Sequence, residues 1–222
     1  MTGKRSRCVG AWLAGAGMFF LYFAILLAAF HNVGTDDALY HELQMRAGIL
    51  PEAGISEEEL IALDADLAGY LAGDASALDG SPFNERELTH MKDCFDLFVL
   101  LRRVLVAAGI AAAALLAGSA LLGYKLGSRA ALTGALALLG LIAILGIWGI
   151  VDFDSLFTAF HHLLFTNDLW LLDPRTDLLI RICPQSMFMS MALRIAGKEL
   201  SFIALVNALA WIIPAVFRRN KG

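Results

Sequence analysis

Four long stretches without a charged residue or histidine decide what this chain can fold into: residues 10–30, 104–124, 130–151 and 200–217. Each is close to the roughly 20 residues that an α-helix needs to cross about 30 Å of hydrocarbon. In lipid a spanning segment must satisfy its own backbone polar groups, and continuous apolar runs of this length do so as helices. The composition agrees, since 59% of the 222 residues are hydrophobic and 17% are charged. A soluble domain has about 45 to 50% apolar and about 25% charged residues, so a water-soluble globular enzyme is not what this chain describes. The net charge of −4 offers no footprint for nucleic acid.

The reading is an all-α polytopic membrane protein, one domain over residues 1–222, with four transmembrane helices and no repeat or linker dividing it. Lys4, Arg5 and Arg7 precede the first run as they would in a signal peptide. The run exceeds the about 7 to 15 residues of a signal core and ends without a small-x-small site, so it is read as an uncleaved anchor. Lys4, Arg5, Arg7, Lys125, Arg129, Arg218, Arg219 and Lys221 fall on one side of the spans, while all 21 acidic residues and all 5 histidines fall on the other. Basic residues stay cytoplasmic, so both termini are expected inside. A helical extracytoplasmic cap then comprises residues 31–96 and 152–199.

Within the cap, Ser56 and Glu59 form a capping box opening a helix with Leu60, Leu63, Leu67 and Leu71 on one face. Asn84 and Glu87 form a second, and no Gly or Pro follows until Gly109. One long helix from about Glu85 is therefore expected to run into the second span. Starting that span near residue 97 keeps His90 roughly 10 Å above it. The cost is that Arg102 and Arg103 enter the outer leaflet, where Asp152, Asp154 or lipid phosphate would have to pair with them. The spans are then 10–30, 97–119, 130–151 and 200–217.

On this helix Arg86, Glu87, Asp93 and Cys94 lie three or four residues from His90 and share its face. Glu87 or Asp93 could bond a ring nitrogen and fix the tautomer that a general base needs. Glu87-x-x-His90 has the spacing of half a di-metal site, but no second Glu-x-x-His occurs, and no metal is expected. In the other cap segment His161, His162, Asn167, Asp168, Trp170, Asp173 and Asp177 sit in an apolar, aromatic stretch that favours the membrane interface. One of the two adjacent histidines is expected to function, and Asp173 and Asp177 read as turn and cap residues. Residues 185–195, rich in Met, suggest an interfacial helix that packs adaptably. The 3 cysteines lack finger spacing. A Cys94–Cys183 bridge stays open.

Read together, the block 85–93 (ERELTHMKD) and the block 160–184, with Phe160-His161, Asn167-Asp168-x-Trp170-Leu171, Pro174 and Asp177-x-Leu179-Ile180, resemble the Lit family of bacterial lipoprotein intramolecular transacylases. Cys94 departs from the pattern, standing where an aliphatic residue is expected. The resemblance implies an enzyme on diacylated lipoproteins that moves the sn-2 acyl chain of S-diacylglyceryl-cysteine to its α-amino group, giving an N-acyl lyso-form, without a cofactor. It implies that His90 and His161 are catalytic and leaves His162 aside. His90 is assigned as base and His161 as oxyanion stabiliser or acid, roles that could be exchanged. Asn167 is expected as an amide donor to the oxyanion or the substrate, and Arg86, Glu87, Asp93, Asp168, Trp170 and Asp177 are expected to orient the histidines or the substrate. A monomer is expected, with lipoprotein and membrane lipid as partners. The competing readings are a Cys/His membrane hydrolase using Cys94 or Cys183, and a non-enzymatic membrane protein that binds partners through its acidic cap.

Overall fold

The computed structural model describes residues 2–219, with side chains from 5 to 212. Lys221 lies outside the described residues, as do the side chains of Lys4, Arg218 and Arg219. The described chain is all-helical: α1 (Thr2–Gly34), α2 (Asp37–Ala47), α3 (Leu50–Ala53), α4 (Glu57–Ala72), α5 (Glu85–Leu121), α6 (Ser128–Val151), α7 (Phe153–Leu164), α8 (Leu178–Ile182) and α9 (Gln185–Arg219). Four of these, α1, α5, α6 and α9, are long and apolar enough to cross a membrane. The class expected from the uncharged runs is the class observed.

The chain divides into two compact units, the first comprising Met1–Ala29, Arg103–Ile144 and Ala196–Gly222. Its core is Met18, Tyr22, Ala131, Ala135, Leu138 and Ile203. Small residues let its helices approach closely: a Cβ on Gly134 would stand 2.6 Å from the backbone nitrogen of Phe19. Ser119 Oγ donates to the Gly10 carbonyl at 2.9 Å and Asn207 Nδ2 to Tyr22 Oη at 3.2 Å, the cross-helix polar bonds that water-free packing favours. Trp12, Ile110, Ile144 and Trp211 stay exposed, an apolar exterior suited to lipid.

The second unit, Phe30–Arg102 and Leu145–Ile195, carries all 5 histidines and every acidic residue but Glu199. Its α4 opens with the Ser56–Glu59 capping box and buries Leu60, Leu63, Leu67 and Leu71. Asp36 caps α2, which packs on α4, and Gly48 ends α2 in the left-handed region at φ 68°, where glycine is favoured. Asp152 ends the run out of α6 by capping α7 through Ser155 N. Asp154 accepts from Gln185 Nε2 at 2.7 Å. Neither acid therefore pairs with Arg102 or Arg103, although the sequence offered both beside lipid phosphate. Arg102 Nη1 instead donates to the Leu71 and Ala72 carbonyls at 2.8 and 3.2 Å. These groups end α4 and have no intrahelical donor, so a cation there also meets the negative end of the helix dipole. The stretch expected as a separate interfacial helix, 185–195, is the first part of the continuous α9.

One buried pair in this unit has a legible pH dependence. Gln44 Nε2 donates to Asp64 Oδ1 at 2.8 Å and to the Ile182 carbonyl at 3.0 Å, while Gln44 Oε1 and Asp64 Oδ2 are buried without partners. Burial pushes the Asp64 carboxyl up to about 6. A raised carboxyl stabilises the fold below its unfolded value near 4, and that stability is lost as pH rises through about 6. Asp64→Asn keeps the acceptor for Gln44 Nε2 and adds an N–H for Gln44 Oε1. It is expected to melt above the parent protein at pH 7.5, with the gap closing by pH 4. A pH-independent gap, or none, would refute this account.

Candidate active site

The site is built on the first turns of α5. Asn84 Oδ1 accepts from the backbone N–H groups of Arg86 and Glu87 at 2.9 and 3.1 Å, and Glu87 Oε2 accepts from Asn84 N at 2.8 Å. This is the reciprocal cap expected from the sequence. The other oxygen of Glu87, a residue only 1% exposed, accepts from Leu179 N in α8. Asn84 Nδ2 donates to Asp177 Oδ1 at 2.9 Å, and Asp177 Oδ2 accepts from Asp173 N at 2.7 Å. Arg86 Nη2 donates to the carbonyls of Asp168 and Leu171 at 2.6 and 3.0 Å. Asn167 Nδ2 donates to Asp93 Oδ2 at 2.9 Å. Four residues of one helix start thus hold the segment after α7.

That clasp sets His90 of α5 and His161 of α7 opposite each other, with ring centroids 6.4 Å apart. Both are buried, each 8% exposed. Aromatic rings wall them in: Trp170 stacks on His161 at 4.7 Å, Phe157 lies 4.1 Å from it, and Phe165 meets His90 edge to face at 5.2 Å. His162 is exposed and meets Trp170 edge-on.

The first turns of α5 carry Glu85, Arg86, Glu87, Lys92, Asp93 and Asp96, a charge density that is costly in hydrocarbon. Burial lowers both histidines, His90 to about 4, with the neighbouring His161 reinforcing its shift. Both rings are neutral at pH 7, and each therefore carries one donor and one acceptor nitrogen. His161 Nδ1 lies 2.7 Å from the Phe157 carbonyl. A carbonyl only accepts, so the proton is on Nδ1 and the Nε2 lone pair is free. His90 Nε2 touches Cys94 Sγ at 3.7 Å, while its Nδ1 is buried without a partner, as is Trp170 Nε1. Burial pushes the Cys94 thiol up to about 12 and the Cys183 thiol up as well, and both cysteines are free.

Several residues sit where spacing suggested but bond elsewhere. Neither Glu87 nor Asp93 bonds a ring nitrogen of His90, because Glu87 is committed to two backbone amides and Asp93 to Asn167. One of the two N–H donors of the Asn167 amide, expected at the oxyanion or the substrate, is given to Asp93. Asp168 takes part through its backbone carbonyl. Asp177 precedes α8 but makes no side-chain cap bond there. Sequence reasoning missed Phe157 and Phe165, and it read Asn84 as a helix cap without its bond to Asp177. Of these, Phe157 had a signal, since it stands four residues before His161, where the carbonyl of the preceding helical turn is in reach. Among the described residues no cluster of three or more His, Cys, Asp or Glu is placed to hold a metal ion.

The chain matches the family model described as lipoprotein intramolecular transacylase Lit over residues 16–188. Among solved structures it is similar to the membrane integral lipoprotein intramolecular transacylase Lit from Bacillus cereus, with TM-score 0.80, 22% identity, and coverage of 99% of this chain and 100% of that one. Two variants of the Bacillus cereus protein, in which a histidine is replaced by arginine or by alanine, match with TM-scores of 0.76 and 0.74 at 23% and 22% identity. They cover 99% and 100% of this chain and 96% and 98% of their own. At these identities the likeness is one of fold. No curated protein matches.

Proposed function

We infer the function from one premise: this chain belongs to the Lit family, the lipoprotein intramolecular transacylases. It is an acyltransferase and a multi-pass membrane protein. The substrate assigned here is a bacterial lipoprotein whose N-terminal cysteine carries a thioether-linked diacylglyceryl group. Its α-amino nitrogen attacks the carbonyl carbon of the sn-2 ester, so a C–N bond forms and the C–O bond to glycerol breaks. The ester becomes an amide and a free hydroxyl, and no water is consumed. Amine and ester belong to one molecule, so the protein's task is to fold it into attack geometry and exclude water.

The observation that carries the mechanism is the nitrogen environment of the two rings. His161 presents a free Nε2 lone pair, with Nδ1–H anchored on the Phe157 carbonyl. It takes the amine proton and returns it to the departing sn-2 oxygen. At His90 we assign the neutral Cys94 thiol as the donor in its 3.7 Å contact with Nε2, an assignment that leaves the ring proton for the unpartnered Nδ1. This N–H serves the oxyanion of the tetrahedral intermediate. The roles are thus exchanged relative to the first assignment from the sequence. Arg86, Asn167 with Asp93, Glu87 and Asp177 position the segment that carries Trp170 and faces His161. Cys94 touches a histidine, but reactive thiols have lowered pKa values and this one is raised, which argues against a thiol hydrolase.

The distribution of Lys and Arg supports cytoplasmic termini and a site at the extracytoplasmic face of the cytoplasmic membrane. A monomer suffices for this chemistry, since both histidines come from one chain. The direct test is purified full-length protein with a synthetic diacylated lipopeptide. Substrate and product are isomers, so tandem mass spectrometry must follow the N-acyl-cysteine fragment. Its absence at every protein concentration would reject the assignment.

A pH profile adds a second check. A base whose value is lowered stays unprotonated below the ordinary histidine value of about 6.5. In the free protein the ring resonances of His161 and His90, followed by NMR, are therefore expected to titrate below 6.5, a readout that the substrate's α-amino group, ordinarily near 7.7 to 8.0, does not enter. A midpoint at or above 6.5 for either ring would contradict neutral, buried histidines.

A further inference from the structure

A second feature of the cap is separate from the histidine pair. A groove of about 590 Å³ between α2 and the start of α9 is lined by Leu43, Arg46, Ser186, Met187, Ser190 and Arg194, among others. Its apolar part is firm, with Leu43 and Met187 only 7% and 2% exposed, while Leu193 at 59% leaves an open apolar wall. At its edge Arg46 Nη2 and Arg194 Nη2 bond the same oxygen, Glu42 Oε1, at 2.8 and 3.2 Å. The shared acceptor holds the two guanidinium groups side by side, their bonded nitrogens no farther apart than the two bonds end to end. A guanidinium has five N–H donors, so most remain free on each. The three groups together leave one positive charge in excess.

We propose that this groove binds the headgroup of an anionic glycerophospholipid, with its phosphodiester bridging Arg46 and Arg194 and an acyl chain lying along Leu193. Paired guanidinium groups match phosphate oxygens in geometry and charge. The depth also fits. The uncharged run 200–217 begins six residues after Arg194, roughly 9 Å along a helix, which puts the guanidinium at headgroup level. The excess positive charge favours an anionic lipid over a zwitterionic one. The diacylglyceryl-cysteine of the proposed acyl-transfer substrate carries no phosphate, so this site takes a different ligand and stands independently of that reading.

The test is native mass spectrometry of the purified full-length protein in detergent with phosphatidylglycerol or phosphatidylcholine added. The parent protein is expected to retain phosphatidylglycerol over phosphatidylcholine. Arg46→Gln with Arg194→Gln should cut that retention about tenfold without changing the melting temperature, both side chains being solvent-facing. Arg46→Lys with Arg194→Lys should keep the preference, because the charge remains. Equal retention by the parent and the Gln variant, equal binding of both lipids, or loss of the preference in the Lys variant would overturn the proposal. So would displacement of phosphatidylglycerol by inorganic phosphate at equal concentration, which would make the site one for phosphate rather than lipid.

Discussion

His161→Ala is expected to reduce N-acyl transfer by roughly 10²- to 10⁴-fold, the usual contribution of a positioned acid–base group. His90→Ala should lose roughly 10²- to 10³-fold, the range for one oxyanion donor. The two act on the same tetrahedral intermediate, so the double variant should fall short of the product of the single losses. Because His161 is packed among Phe157, Trp170 and Phe165, alanine there also leaves a hole that could loosen the cap. Melting temperature must therefore be followed beside the N-acyl fragment. His162→Ala is the control: it removes an adjacent, exposed imidazole whose contact is the edge of Trp170, and it should leave transfer standing. Full activity in His161→Ala with an unchanged melting temperature would remove the proposed base. Loss in His162→Ala equal to that in His161→Ala would move the base to the wrong ring.

How far the sequence could lead is clear from particular residues. The caps were legible because capping is local: Ser56 and Glu59, or Asn84 and Glu87, are three residues apart, and their types dictate the bonds they make. The four membrane-crossing helices were legible because lipid leaves a long uncharged run little choice. What failed were the pairings of polar side chains. Glu87, Asp93 and His90 share a helix face, and sequence spacing therefore offered them to one another. The carboxylates instead bond partners 92 and 74 residues away, Leu179 N and Asn167. An acceptor buried by tertiary packing takes the unsatisfied backbone donor or amide that packing brings to it, and no local pattern encodes that choice. Arg102 follows the same rule, taking the bare carbonyls at the end of α4 rather than an acid near in imagined depth. Ring orientation was out of reach for the same reason. The proposed base and donor roles rest on the Phe157 carbonyl and the Cys94 thiol, which only the folded chain brings to the two rings.

Glu87→Ala should then damage the cap more than any surface change. One carboxylate accepts from Asn84 N at the head of α5 and from Leu179 N in α8, in a residue that is 1% exposed. Alanine leaves the buried Leu179 amide without its acceptor and removes the return bond of the α5 cap. With charged acceptors worth about 1.5 to 3 kcal/mol each, the loss is roughly 3 kcal/mol or more. For a chain of this length that corresponds to a melting temperature lower by about 6 to 12 °C. Glu87→Gln should fall between, since glutamine keeps one acceptor oxygen but turns an NH₂ toward the other backbone donor. Transfer should fall along with stability, because the bond to Leu179 fastens the segment from 165 to 179, which carries Trp170 against His161, to the helix that carries His90. Glu87→Ala melting like the parent protein would mean that water or another acceptor replaces the carboxylate. If transfer were lost while melting stayed unchanged, Glu87 would belong to the chemistry and not to the clasp. If the melting temperature falls and the surviving folded fraction still turns over at the parent rate, the clasp stabilises the cap without setting the histidine pair.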